Sequence, residues 1–284
     1  MRLRKGLLSA IRKAATILPR DVITALKEAI QKEDSKLARG QLATILENIK
    51  IARTDSIPLC QDTGIQTFFV QAGVRSPYLG LLKPVITQAV AEATATVPLR
   101  PNTVHPFTNK NSGDNLGQGM PVIDCELTES DKIIITLLPK GGGSENCCAL
   151  KMLTPSAGIS GIKQAIVDHV VACKGAPCPP TIVGVGIGGG ADVAMKLAKR
   201  AILRKIKICH PEPTVAKLEE ELLKLINKSG VGPMGLGGNT TSLAVHIEYA
   251  FRHPASLPLG IVLQCWANRR AQIQINKDGS IKVS

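Results

Sequence analysis

Three cysteines stand in surroundings better suited to chemistry than to packing. Cys60 lies in Pro58-Leu59-Cys60-Gln61-Asp62-Thr63-Gly64, a tight turn that sets two polar side chains directly beside a thiol. Cys178 lies in Pro177-Cys178-Pro179-Pro180, where prolines strip backbone donors and fix the chain. Proline beside a ligand cysteine recurs in iron–sulfur sites. Cys265 ends an apolar run and precedes Trp266 and the pair Arg269-Arg270. Spacing this wide suits three loops that converge on one centre. Three thiolates on a cubane cluster leave one iron without a protein ligand, and an open iron is a Lewis acid for substrate oxygen. The spacing allows such a centre without demanding it.

Other chemistries are less well supported. No C-x-x-C pair exists among the eight cysteines, which argues against a structural zinc site. Cys173 and Cys178 are spaced like one half of a plant-type iron–sulfur motif, but no third cysteine follows at the required interval. Cys147 and Cys148 are vicinal, too cramped for both to serve one metal. Gly184-Val185-Gly186-Ile187-Gly188-Gly189 matches the dinucleotide pattern G-x-G-x-x-G between a strand and a helix. No second strand ending in an acidic residue follows, so the glycines read as close packing of strand against helix.

These residues need elements to hold them. Residues 1–53 carry helical periodicity broken at Pro19-Arg20-Asp21, with Asp21 placed to cap the second segment. Strands are expected at 65–70, 181–185, 245–250 and 260–264, and a strand pair at 122–127 and 132–138. Helices are expected at 82–96, 157–173, 191–205 and 213–227. A polar stretch over 98–119 is long enough to suggest a functional loop. Glycine runs follow at 141–143 and 230–238, and Lys277-Asp278-Gly279 marks a hairpin between 273–275 and 281–283. The fold class is α/β (α+β), mixed β-sheets surrounded by helices. The chain reads as one domain, 1–284, with a helical segment over 1–53 and an α/β body over 54–284.

Composition narrows the function. Hydrophobic residues at 44% against 20% charged exclude a disordered chain. No apolar run reaches the roughly 18 residues of a membrane span. The N-terminus is too short and too charged for a secretory signal, and the cysteines show no disulfide-like spacing, so a cytoplasmic protein is expected. A net charge of +13 calls for an anionic partner, but seven aromatic residues leave few stacking platforms for nucleic acid. The excess concentrates in residues 1–53, with 12 basic and 5 acidic residues, either a solvated helix face or a docking surface for an acidic chain.

From Pro58–Gly64 onward the sequence resembles the class I, iron–sulfur dependent fumarate hydratases, specifically their α subunit or N-terminal domain. The resemblance runs through Leu99-Arg100-Pro101-Asn102, Ser112-Gly113-Asp114-Asn115 and Lys140-Gly141-Gly142-Gly143-Ser144-Glu145-Asn146. It continues through Cys178-Pro179-Pro180, Gly184–Gly190, Gly235–Thr241, Arg252-His253-Pro254 and Cys265. The L(+)-tartrate dehydratase α subunit follows the same pattern. The resemblance implies a [4Fe–4S] cluster on Cys60, Cys178 and Cys265, and substrate contacts from Gln61, Arg100 and Gly141, Gly142 or Gly143. It also implies catalytic roles for Asp62 and His253. The expected activity is reversible hydration of fumarate to L-malate, a step of the tricarboxylic acid cycle, with tartrate dehydration as the alternative. Single-chain members carry a further C-terminal domain. This chain therefore resembles one half of an α2β2 enzyme whose separate β subunit completes the dicarboxylate site, without nucleic acid or membrane. A non-catalytic iron–sulfur or RNA-binding role is the contrasting class.

Overall fold

A computed structural model describes residues 2–97 and 99–284. Pro98, the first residue of the expected 98–119 loop, and Met1 lie outside the described residues. In chain order the elements are α1 (Arg2–Thr16), α2 (Arg20–Lys32), α3 (Lys36–Asp55), β1 (Ile65–Gly73), α4 (Leu82–Thr96), β2 (Val122–Thr128) and β3 (Ile133–Lys140). There follow the single turn α5 (Gly142–Glu145), β4 (Ala149–Leu153), α6 (Gly158–Cys173), β5 (Thr181–Gly189), α7 (Ala191–Ala201) and α8 (Pro213–Asn227). The chain closes with β6 (Ser242–Arg252), β7 (Leu257–Gln264), β8 (Ala271–Ile275) and β9 (Ile281–Val283). The expected mixed α+β architecture is present. Among the described residues no helix is long and apolar enough to cross a membrane.

The chain forms two compact units, each discontinuous in sequence. The first holds the chain up to Leu18, Asn48–Gly142 and Arg269–Ser284; the second holds Pro19–Glu47 and Gly143–Asn268.

The first unit is built on a five-stranded sheet in the order β2-β1-β3-β8-β9. β1 pairs in parallel with β2 and antiparallel with β3, so the two strands expected to pair flank β1 instead. β1 is buried on both faces. Phe68, Val70 and Ala72 share one face and are buried with Leu7 and Ile11 of α1 and Ile86 and Val90 of α4. Each fully buried aliphatic or aromatic side chain there contributes roughly 1.5–3 kcal/mol. The terminal hairpin of β8 and β9 is antiparallel, as its turn residues predict.

The second unit holds a four-stranded sheet in the order β4-β7-β5-β6. On one face, Ile162 and Ile166 of α6 and Leu222 and Ile226 of α8 pack on Val183, Val185, Ile261 and Leu263. On the other lies α7. Gly186 and Gly260 are cross-strand partners, and a side chain at either would drive into the carbonyl of Ala194 in α7. The dinucleotide-like glycines therefore belong to strand β5, which is longer than expected, and serve close helix–sheet approach.

Two local expectations need correction, and two short elements go unread. Asp21 is not a cap: α2 starts after Pro19, and Asp21 Oδ2 accepts the Ile206 N–H at 2.9 Å. Helix α7 stops at Ala201, before 205. The short α5 and β4 carry too little periodicity to be read from sequence and were not expected.

Candidate active site

In the first unit the Cys60 turn is fixed from its leading side by two bonds. Leu59 N–H donates to Ala15 O, and Asn48 Nδ2 donates to Leu59 O, both at 2.9 Å. Cys60 is half-buried, Gln61 exposed and Asp62 half-buried. Asp62 is the hub. Its Oδ1 accepts the Gly64 N–H at 2.9 Å and Asn102 Nδ2 at 3.3 Å. Its Oδ2 accepts the Gly142 N–H at 2.8 Å, which ties the cysteine turn to the glycine run. Gly64 has φ +78°, and a Cβ there would lie 2.8 Å from Lys140 N, so only glycine permits this approach.

The polar loop after α4 is ordered by a buried asparagine. Asn115, with φ +61°, accepts the Asn102 N–H at 2.6 Å and donates to Arg100 O at 3.1 Å and Thr94 Oγ1 at 3.0 Å. Arg100 N–H also reaches Thr63 Oγ1 at 3.0 Å. The Arg100 backbone is thus held while its side chain is exposed. Gly141 is buried beside Asp62: a Cβ on it would stand 3.0 Å from Asp62 Oδ2 and 3.9 Å from Arg269 Nη2. Thus Cys60, Gln61, Asp62, Arg100, Gly141 and Gly142 all belong to this unit. The Gly142 N–H is already committed to Asp62.

In the second unit Trp266 N–H donates to Cys178 O at 3.2 Å, so the Cys178 and Cys265 segments run side by side. Both thiols are half-buried and neither is in a disulfide. Cys178 sits at φ +54°, a left-handed conformation that costs a non-glycine residue roughly 1–2 kcal/mol. The Gly230–Gly238 loop holds it there: Met234 N–H donates to Pro179 O at 2.9 Å, and a Cβ on Gly175 would come within 2.8 Å of Met234 O. Gly143 lies against the same segment, its Cβ position 3.5 Å from Ala176 O. His253 is exposed between β6 and β7, where Arg252 Nη1 donates to the carbonyls of His253, Pro254 and Ser256. His253 Nδ1 accepts the Ala255 N–H at 3.1 Å, which leaves Nε2 as the protonated nitrogen of the neutral ring.

Among the described residues no three His, Cys, Asp or Glu side chains form a set that would hold one metal ion. A further thiol group packs around Cys173. Cys173 Sγ lies 3.7 Å from His169 Nε2, which is 2.9 Å from Cys147 O. Burial, and then the neighbouring Cys147 and Cys148, push the Cys173 thiol up to about 12. That keeps it a protonated packing group.

Sequence reasoning missed Thr63, Asn102, Asn115 and Arg269 as parts of this site. Asn102 and Asn115 lie within quoted motifs, but nothing in their types says which carbonyl or amide they would bridge. Arg269 stands out only as one of a basic pair after Cys265, and its type points to the surface rather than to the buried position it holds.

The profile of the fumarate hydratase (Fumerase) family matches residues 5–274. A protein of Methanocaldococcus jannaschii, provisionally named L(+)-tartrate dehydratase subunit alpha, is 48% identical over 285 residues, covering 99% of this chain and all of the relative. The L(+)-tartrate dehydratase subunit alpha of Escherichia coli K12 is 37% identical over 265 residues, covering 93% of this chain and 88% of the relative. With that coverage and with the signature turn and glycine run tied together at Asp62, the chain belongs to the fumarate hydratase (Fumerase) family.

Proposed function

We propose that this chain is the α subunit of a hydro-lyase that reversibly hydrates fumarate to L-malate, with a separate β subunit completing the site. The observation that carries the reading is the Asp62–Gly142 bond, 2.8 Å long, which brings two family motifs to one point beside a reactive-type carboxylate. The relatives' designation as α subunits supports a β partner. The +13 charge suits an acidic partner.

Cys60, Cys178 and Cys265 would hold a [4Fe–4S] cluster. Their chemistry fits: all three are thiols outside disulfides, half-exposed, and two of them lie on hydrogen-bonded segments. Bound there, the cluster supplies Lewis acidity toward the substrate hydroxyl. The chain's residues do the rest. In the dehydrating direction a proton leaves one carbon, hydroxide leaves the next, and the double bond forms between them. Asp62, acceptor-only when ionised, has one lone-pair site left after its three N–H bonds, enough to take that proton or to orient the base that does. Arg100 extends a planar fork of donors suited to a carboxylate. His253 offers Nε2–H to a carboxylate or to a proton relay. Gln61, exposed next to the cysteine, and the backbone at Gly141 and Gly143 line the substrate side.

A second reading, dehydration of L(+)-tartrate, is favoured by the names of both relatives. One experiment separates the two. The chain is reconstituted anaerobically with iron and sulfide, with and without its β partner, and offered fumarate, malate and L(+)-tartrate side by side. Fumarate turnover in the pair supports the first reading, and tartrate turnover without fumarate loss supports the second. Absence of both, with about four irons bound per chain, sinks the hydro-lyase assignment to these substrates. Cys60→Ser should lose iron and turnover together, while Asp62→Asn and His253→Asn should keep the iron and lose most of kcat.

A further inference from the structure

Arg269 is 1% exposed and is the largest fully buried side chain in the protein. Its Nε and Nη1 atoms are out of reach of solvent and have no hydrogen-bond partner among the described residues. Removing a guanidinium from water without a counter-charge costs several kcal/mol, so a fold keeps one only where something supplies the missing acceptor. The direction in which it points is known. Its Nη2 lies 3.9 Å from the Cβ position of Gly141, and Asp62 Oδ2 lies 3.0 Å from that same position. Asp62 is not the missing acceptor: neither orphaned nitrogen bonds it, and its oxygens take the N–H groups of Gly64, Asn102 and Gly142. Gly141, having no side chain, leaves open the space that the carboxylate and the guanidinium share.

We infer that Arg269 is a substrate-binding residue whose guanidinium receives one carboxylate of the dicarboxylate in the space over Gly141. The inference deepens the hydro-lyase reading and rests on it for the identity of the ligand. A guanidinium matches a carboxylate in charge, and Nη2, the nitrogen nearest that space, would donate to it. Because it lies inside the fold, it meets that carboxylate with little competition from water. Arg269 acts by binding, in the ground state and the transition state alike, so its loss should fall on KM rather than on kcat.

The test uses the reconstituted αβ enzyme and three variants: Arg269→Met, Arg269→Lys and Gly141→Ala. Arg269→Met should raise KM by roughly 10- to 100-fold with kcat changed by less than about threefold. Arg269→Lys should restore part of that loss, and Gly141→Ala should reproduce it by filling the same space without altering charge. In the absence of any dicarboxylate, Arg269→Met should melt no lower than the wild type, because it removes an uncompensated buried charge. A separate arm needs no turnover: malonate should raise the melting temperature of the wild type but not of Arg269→Met, and acetate should do less. If Arg269→Met melts lower with an unchanged KM, the guanidinium is structural and the inference is wrong. Equal malonate stabilisation of wild type and Arg269→Met also overturns it, even in an active enzyme. Conversely, a wild type that turns over none of the three substrates yet loses its malonate response in Arg269→Met removes the hydro-lyase reading and leaves the carboxylate site standing.

Discussion

Thr63 and Arg100 lock their backbones together in both directions. Arg100 N–H donates to Thr63 Oγ1 at 3.0 Å, and the Thr63 hydroxyl lies 3.3 Å from Arg100 O as a donor. Thr63 is 2% exposed, so no water can replace it. Thr63→Val keeps the shape and removes the hydroxyl, stranding the Arg100 N–H at a cost of roughly 1–3 kcal/mol. The expected result is a lower melting temperature and a raised KM, with Thr63→Ser restoring both. An unchanged melt would show that the clamp contributes nothing.

Glu33 plays the corresponding part in the second unit. It is 2% exposed, and its two carboxylate oxygens accept the Asn239 N–H at 2.8 Å and the Thr240 N–H at 2.7 Å. Glu33→Gln turns one of those oxygens into an amide that cannot accept. We expect a loss of roughly 1.5–3 kcal/mol, the value of a hydrogen bond to a charged group. The urea midpoint measures it, and a midpoint equal to that of the wild type would refute the assignment.

Cys173 should be chemically silent. With its thiol pushed up to about 12 from an ordinary value of 9.0, almost none is thiolate at pH 8. Iodoacetamide at pH 8 should therefore label the exposed Cys209 and leave Cys173 untouched, as peptide mapping would read. The stability sign follows. The native state holds the proton more tightly than the unfolded chain, so the contribution is complete below about pH 9 and is lost as pH rises from there toward 12. Cys173→Ser should flatten that alkaline slope in a series of denaturation curves.

Gly186→Ala distinguishes packing from nucleotide binding. The new Cβ would run into Ala194 O and approach Ala198 N to 2.7 Å, so α7 must lift from the sheet. We expect a destabilised second unit, with a loss of 1–3 kcal/mol or so, typical of overpacking. NADH should not raise the melting temperature of the wild type; a clear rise would revive the dinucleotide reading.

Much of this protein is written locally. The periodicity of α4 and α8, the proline at the start of α8 and the Asp-Gly turn before β9 depend on neighbours a few residues away, and their positions follow from sequence. The signature turn at Cys60–Gly64 and the glycine run at 141–143 are legible as motifs for the same reason. What a one-dimensional reading does not contain is pairing. Strand β3 bonds to β1 rather than to β2, its neighbour in sequence, and nothing local to either strand says so. Gly186 needs to be glycine because of Ala194 and Gly260, which come from other elements. Asp62 meets Gly142 across 80 residues of chain, and Arg269 is buried near Gly141, although nothing in its own neighbourhood says that it is buried. Residue types and short-range spacing thus determine which chemistry is present. Tertiary packing alone decides which groups share a dielectric, which donors are already spent, and where a buried charge waits for its acceptor, because these depend on distances that sequence separation does not encode.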